Sequence, residues 1–269
     1  MKKLIAIGLL TAMLVCLFGI QSFAVEESVK VYVTIANVNG SLVMAQEEIT
    51  VTDVDEDGSL TVNDALYLAH EAAFEGGAAA GYASESGEYG LSMTKFWGVE
   101  NGGSYGYYVN NSMAMSLADI IEDGAYINAF VYSDTTAFSD TYCYFDVNTV
   151  SATAGQEFSL ILTAAGYDEN WAPVEIPVEN AVITVDGEET AFTTDSEGKV
   201  TLTIADTGSF TISAKSTAQT LVPPVCLVTV AASTPKTSDN ADYILYIALG
   251  AIAFAFIVFA FRRKYSYEK

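Results

Sequence analysis

Asp53-Val54-Asp55-Glu56-Asp57-Gly58-Ser59-Leu60-Thr61-Val62-Asn63-Asp64 runs directly into Ala65-Leu66-Tyr67-Leu68-Ala69-His70-Glu71-Ala72-Ala73. The first half is an acidic turn and the second an amphipathic helix, with Leu66, Ala69 and Ala73 on one face. Thr61 is the N-cap and Asp64 the third helical residue, as in a capping box. Gly76-Gly77 stops the helix. Calcium prefers several hard oxygens around a tight turn. The turn offers them: Asp53, Asp55, Asp57 and Asp64 at loop positions 1, 3, 5 and 12, with Gly58 at the reversal. Ser59 would add a carbonyl and Thr61 a hydroxyl or water, and a bound calcium would be structural. The alternative is an acidic turn whose Asp64 only caps the helix.

Outward from this segment the chain divides. Residues 28–36 alternate and are β-branched, which predicts a strand, and Ile49-Thr50-Val51 is a short second one. Beyond the helix, Ser104–Asn110 and Ala125–Tyr132 read as two more. Strand, strand, helix, strand, strand over residues 25–145 predicts a small α+β domain. From 146 to 231 helical periodicity vanishes. Short strands are predicted at Glu157–Thr163, Ala181–Val185, Thr190–Thr193, Lys199–Ile204, Ser209–Ala214 and Cys226–Ala231. Turns such as Asp186-Gly187 separate them. The expectation is an all-β sandwich.

Both ends differ from this body. Lys2-Lys3, an apolar run and Ser22-Phe23-Ala24 make residues 1–24 a secretory signal peptide. Residues 232–242 are a polar linker. Residues 243–261 carry no charge and are long enough for a transmembrane helix. Arg262-Arg263-Lys264 opens a basic tail, 262–269, which the positive-inside rule places in the cytoplasm. The body is therefore expected outside the cell. It is strongly acidic: between residues 25 and 234 there are 31 acidic and four basic residues, a balance of −27. Nucleic acid is excluded as a partner that would be held by phosphate contacts.

Several resemblances attach to particular residues. Thr234-Pro235-Lys236-Thr237, the apolar span and the basic tail together resemble the LPXTG-like cell-wall sorting signal of Gram-positive surface proteins. That resemblance implies a sortase joining Thr237 to peptidoglycan. Thr234 and Ser238 depart from the pattern, and a plain membrane anchor is the alternative. The acidic turn resembles an EF-hand loop, more closely its dockerin variant, although here it follows a strand and has no second copy. Thr61-Val62-Asn63-Asp64-Ala65-Leu66, Tyr105-Gly106-Tyr107-Tyr108-Val109-Asn110 and Asp123-Gly124-Ala125-Tyr126-Ile127 resemble the bacterial transcobalamin C-terminal-like domain. Asn111 and Ala125 depart from that family. The resemblance spans roughly residues 28–145 and implies a β-grasp-like, soluble-ligand-binding domain, a corrinoid being one ligand it suggests. Residues 146–231 resemble the bacterial Ig-like domains of surface adhesins, which act mostly as stalks; the residues that carry this are Thr193-Thr194-Asp195-Ser196-Glu197-Gly198-Lys199-Val200.

Aromatic and glycine residues crowd Gly81–Tyr132. Tyr and Trp suit a wet, adaptable ligand groove, which makes Trp97, Tyr105, Tyr107 and Tyr108 the candidate ligand-binding residues. Alternation puts Tyr107 and Val109 on one face of their strand and Tyr108 on the other, so some of them are core. Cys143 and Cys226 remain after signal cleavage, and buried thiols are expected in preference to a bridge between domains. There is no nucleophile motif and one histidine, His70. A carboxylate pair for glycoside hydrolysis cannot be read from spacing among so many acids. The expectation is a non-enzymatic binding module on an Ig-like stalk at the outer face of a Gram-positive cell. The alternative is a structural or adhesive surface protein that binds a protein or glycan.

Overall fold

Strand β1, Val29–Ala36, shows why the first lobe folds as it does. Its alternate residues Val31, Val33 and Ile35 are fully buried, while Lys30 and Tyr32 point to the other face. β1 lies between β2 (Leu42–Val51), antiparallel to it, and β7 (Tyr126–Val131), parallel to it. With β5 (Tyr105–Val109) and β6 (Ser112–Met113) they form one mixed sheet of order β2-β1-β7-β5-β6. Helix α1, Val62–Ala73, covers one face and buries Val62, Ala65, Leu66 and Ala69 against it. Val62 and Leu66 each contribute about 1.5–3 kcal/mol by leaving water, and the two alanines less. A short helix α2 (Gly77–Gly81) and a hairpin of β3 (Ala83–Gly87) and β4 (Gly90–Lys95) complete this lobe. The computed structural model describes residues 28–233 except 89 and 171.

The second lobe is a β-sandwich. One sheet has the order β11-β10-β8-β16, with β14 also paired to β10. Its strands are β8 (Thr141–Phe145), β10 (Glu157–Tyr167), β11 (Pro173–Pro177), β14 (Lys199–Thr203) and β16 (Leu221–Val222). The other sheet has the order β13-β12-β15-β17-β9. It is built from β9 (Thr149–Thr153), β12 (Val182–Val185), β13 (Glu188–Thr193), β15 (Gly208–Lys215) and β17 (Cys226–Ala231). The last strand, β17, runs parallel to β9 and antiparallel to β15. Leu160, Leu162, Ile183, Leu202 and Ile212 fill the space between the sheets. Both lobes belong to one compact unit ending at Ala231.

Two expectations change. The first domain was expected to run to residue 145, but Thr141–Phe145 pairs with β10 and β16 and so belongs to the sandwich. Cys143 and Phe145 face the sandwich core and Tyr142 and Tyr144 the opposite side, so alternation is kept while the partner sheet differs. As a result Cys143 and Cys226 lie in the same core instead of in two domains. Both thiols are buried and free, and burial holds each above the ordinary thiol range. The signal peptide, Pro235-Lys236-Thr237, the span 243–261 and the tail lie outside the described residues. Among the described residues no helix is long and apolar enough to cross a membrane.

Candidate functional site

The acidic turn closes on itself through its own carboxylates. Asp53 accepts the backbone N–H groups of Asp57 (3.1 Å) and Gly58 (2.8 Å), and Asp57 accepts that of Ser59 (2.8 Å). Gly58 sits at φ +87, in the left-handed region where a glycine carries no steric penalty. One carboxylate oxygen from each of Asp53, Asp55 and Asp57 falls within 4.8 Å of the others, a spacing that could hold a cation. Asp55 has its pKa raised, first by burial and then by the Asp64 and Asp57 charges beside it. A bound cation would relieve that repulsion.

Asp64 does not join this group. It is fully buried; its Oδ1 accepts Val54 N–H (3.0 Å), and its Oδ2 accepts the N–H (2.8 Å) and hydroxyl (2.6 Å) of Thr61. Thr61 Oγ1 in turn accepts Asp64 N–H, so both residues of the expected ligand set serve the helix cap. Loop position 12 coincides here with the third residue of a capping box, and the cap takes its oxygens. Sequence reasoning passed over Asn63. Its amide donates to Asp55 (3.3 Å) and its carbonyl accepts Tyr82 O–H (2.9 Å), which ties the turn to the aromatic side of the lobe.

The four candidate aromatic residues do not line one cavity. Trp97, at φ +47, packs half-buried against His70 and Phe74, with ring centroids 5.2 Å from each. Its backbone N–H donates to His70 Nε2 (3.0 Å), so Nδ1 carries the proton and donates to Leu66 O (2.6 Å). His70 is thus a fully satisfied core histidine. Burial holds its pKa down at about 4. The Tyr105 hydroxyl accepts Asn101 N–H (2.7 Å) and lies 2.8 Å from Val99 O, a structural knot at the edge of the helix-side core. Tyr107 packs against the same core.

Tyr108 faces the other way. It stacks on Tyr142 of the sandwich with centroids 3.6 Å apart and planes 8° from parallel. Ala36, Phe130 and Val222 complete a small apolar cluster between the lobes. Phe130 reaches this cluster because residue 106 is glycine: a Cβ there would lie 2.2 Å from the Phe130 ring. Polar contacts reinforce the junction. Tyr142 O–H donates to Asn111 Oδ1 (2.9 Å), and Gln46 Nε2 donates to Val225 O (2.9 Å).

Beside this stack the lobes diverge into a crevice of about 640 Å³. Tyr108, Asn110, Asn111 and Met113 line it from the first lobe, and Tyr144, Tyr167 and Glu175 from the sandwich. Tyr144 O–H donates to Glu175 Oε1 (2.9 Å), and its pKa is pushed up to about 12 by burial and that carboxylate. Nothing in local sequence pattern foretells the crevice, because its walls come from strands of two different lobes.

No family model matches the chain, and no curated protein gives a significant match. Among solved structures it resembles a Bacteroides ovatus mixed-linkage glucan utilization locus protein, SGBP-B, in complex with a mixed-linkage heptasaccharide (18% identity, TM-score 0.23). That match covers 59% of this chain and 40% of the other. The N-terminal four Ig domains of Dscam1 isoform 4.44 (8%, TM-score 0.23) match 56% of this chain and 41% of theirs. The D0-D1 domain of Intimin (14%, TM-score 0.24) matches 73% of this chain and 94% of its own. The chain thus spans about two-fifths of the first two structures. Scores this low mark local likeness between β-rich chains and carry no functional assignment.

Proposed function

We propose that the chain is a non-enzymatic binding module displayed at the outer surface of a Gram-positive cell. The two lobes act as one rigid binding body, and a C-terminal span, sorted to the wall through Pro235-Lys236-Thr237, tethers it. The observation that carries this reading is the crevice between lobes that a stacked tyrosine pair locks together. Its volume falls within the range of about 300–1,000 Å³ usual for ligand sites. The first lobe's mixed sheet with one helix across a face supports the β-grasp-like reading. The four aromatic residues expected to line a groove are divided between two cores, and nothing in the fold adds support to the corrinoid that the family resemblance suggested. Asp53, Asp55 and Asp57 would hold a structural calcium ion, which pins the strand-to-helix turn.

The reading is tested on cells displaying the full chain, added to wells coated with single surface polymers, some saccharides and some proteins. Retention that depends on the chain and is lost in a Tyr144→Ala/Tyr167→Ala double variant supports a binding module centred on the crevice. Retention equal to that of cells lacking the chain overturns it. Protease treatment of intact cells checks display independently, since a surface-exposed body is shaved and a cytoplasmic one is not.

A further inference from the structure

We infer that Met113 is an oxidation site whose sulfoxide latches the two lobes together at the crevice. The site is independent of the binding-module reading, because it needs no ligand. Met113 lies on β6 directly opposite Tyr108 of β5, so both side chains leave the sheet on the face turned to the sandwich. Its sulfur accepts the hydroxyl of Tyr167, the last residue of β10 in the other lobe, at 3.9 Å. The backbone beside the sulfur is pinned. Ala114 N–H donates to Tyr107 O (3.2 Å), and Met115 N–H donates to Asp119 Oδ2 (2.8 Å). Tyr167 stands close to the stacked pair: after burial and Tyr132, its phenol helps to hold the Tyr108 hydroxyl above the usual range.

A thioether sulfur is a weak acceptor, and oxidation turns it into a polar sulfoxide. An O–H···O bond is usually about 2.7–2.8 Å long, so the longer 3.9 Å contact to sulfur leaves room for a sulfoxide oxygen to meet the phenol. With hydrogen peroxide, the sulfur lone pair takes one peroxide oxygen as the O–O bond breaks. The other oxygen leaves as water, so sulfur is oxidised and peroxide reduced. Access is selective among the described methionines. Met113 is 43% and Met115 83% exposed, whereas Met44 and Met93 are buried. Met115 lines the same crevice wall, so it is replaced in the experiment.

The test uses the full chain in mild detergent, carrying Met115→Leu, treated with hydrogen peroxide and followed by peptide mass and amide hydrogen exchange. The expected result is one added oxygen on Met113. Exchange across β6 and the end of β10 should slow about two- to tenfold, as one gained hydrogen bond gives. Methionine sulfoxide reductase should return exchange to its starting rate. Tyr167→Phe, which removes the donor, should cancel the slowing and leave the oxidation intact. Met113→Gln carries a carbonyl oxygen on the atom that replaces the sulfur. It should slow exchange without peroxide, which keeps the test sound if peroxide damages the chain elsewhere. Met113 that stays unoxidised under conditions that oxidise Met115 in the unsubstituted chain overturns the inference. So does exchange that is unchanged or faster in the oxidised chain, or slowing that survives Tyr167→Phe.

Discussion

The sheet β2-β1-β7-β5-β6 has two faces that are held by different means. Against α1 it presents aliphatic residues, Val31, Val33, Ile35 and Ile127, in a continuous core that belongs wholly to one lobe. On the reverse side it presents Tyr108, Phe130 and Ala36, which are covered only because Tyr142 and Val222 of the sandwich sit on them. The first face closes through segments of one lobe. The second closes through strands contributed by both lobes. The helix face therefore makes the first lobe a fold, and the reverse face makes two lobes one body.

Removing the reverse-face stack has the largest expected effect. Tyr142→Ala should cost about 3–5 kcal/mol, as for large aromatic truncations. It should also split a single thermal transition into two, because the lobes lose their shared cluster. A single transition at unchanged temperature would mean that the Tyr108–Tyr142 stack contributes nothing to cooperativity. The helix face is probed by pH. His70 has a folded pKa of about 4 against an ordinary 6.5, so the unfolded chain binds the proton more readily. Its stabilising contribution is complete above pH 6.5 and is lost as pH falls towards 4, by roughly 3 kcal/mol in all. The groups packed on the ring are Phe74, Tyr82, Phe96 and Trp97, none of them a carboxylate. Denaturation midpoints between pH 5 and 6.5 should therefore slope downward with acid in the native chain and flatten in His70→Gln. An unchanged slope would remove His70 as the cause.

Calcium is expected to act next to the helix face and to leave the junction alone. At a hundred times its dissociation constant it should add about 2.7 kcal/mol by mass action. Asp55→Asn should abolish that gain, and Asp64→Asn should weaken the cap instead. A calcium-dependent midpoint that persists in Asp55→Asn would locate the ion elsewhere. The smallest effect belongs to the cap: Thr61→Ala should cost about 1 kcal/mol, measured by urea denaturation. A cost near zero would show that Asp64 caps the helix unaided.

The elements legible in sequence were those with one buried face. β1 and α1 each carry a clear period, and Gly76-Gly77 marks the helix end, which falls at Ala73. Alternation also told correctly that Tyr107 and Tyr108 part company on β5. It could not tell that a second lobe would bury Tyr108, since that depends on Tyr142 arriving from another sheet. The β3–β4 hairpin escaped notice because Ala-Ser-Glu-Ser-Gly carries no apolar alternation and the alternation in Gly-Leu-Ser-Met-Thr-Lys is limited to Leu91 and Met93. The acidic turn illustrates a different limit. The spacing that suits a calcium loop also suits a capping box, and sequence cannot say which one owns Asp64.

The pairing of β17 with β9 has a mechanical consequence. A pull applied beyond Ala231, as a C-terminal tether would apply it, runs along the axis of a strand bonded on both sides. Because β17 and β9 are parallel, the ladder between them is loaded in shear, and its bonds must yield together instead of opening one at a time from an end. Under such a load the sandwich would resist unravelling at β17, the strand that bears it.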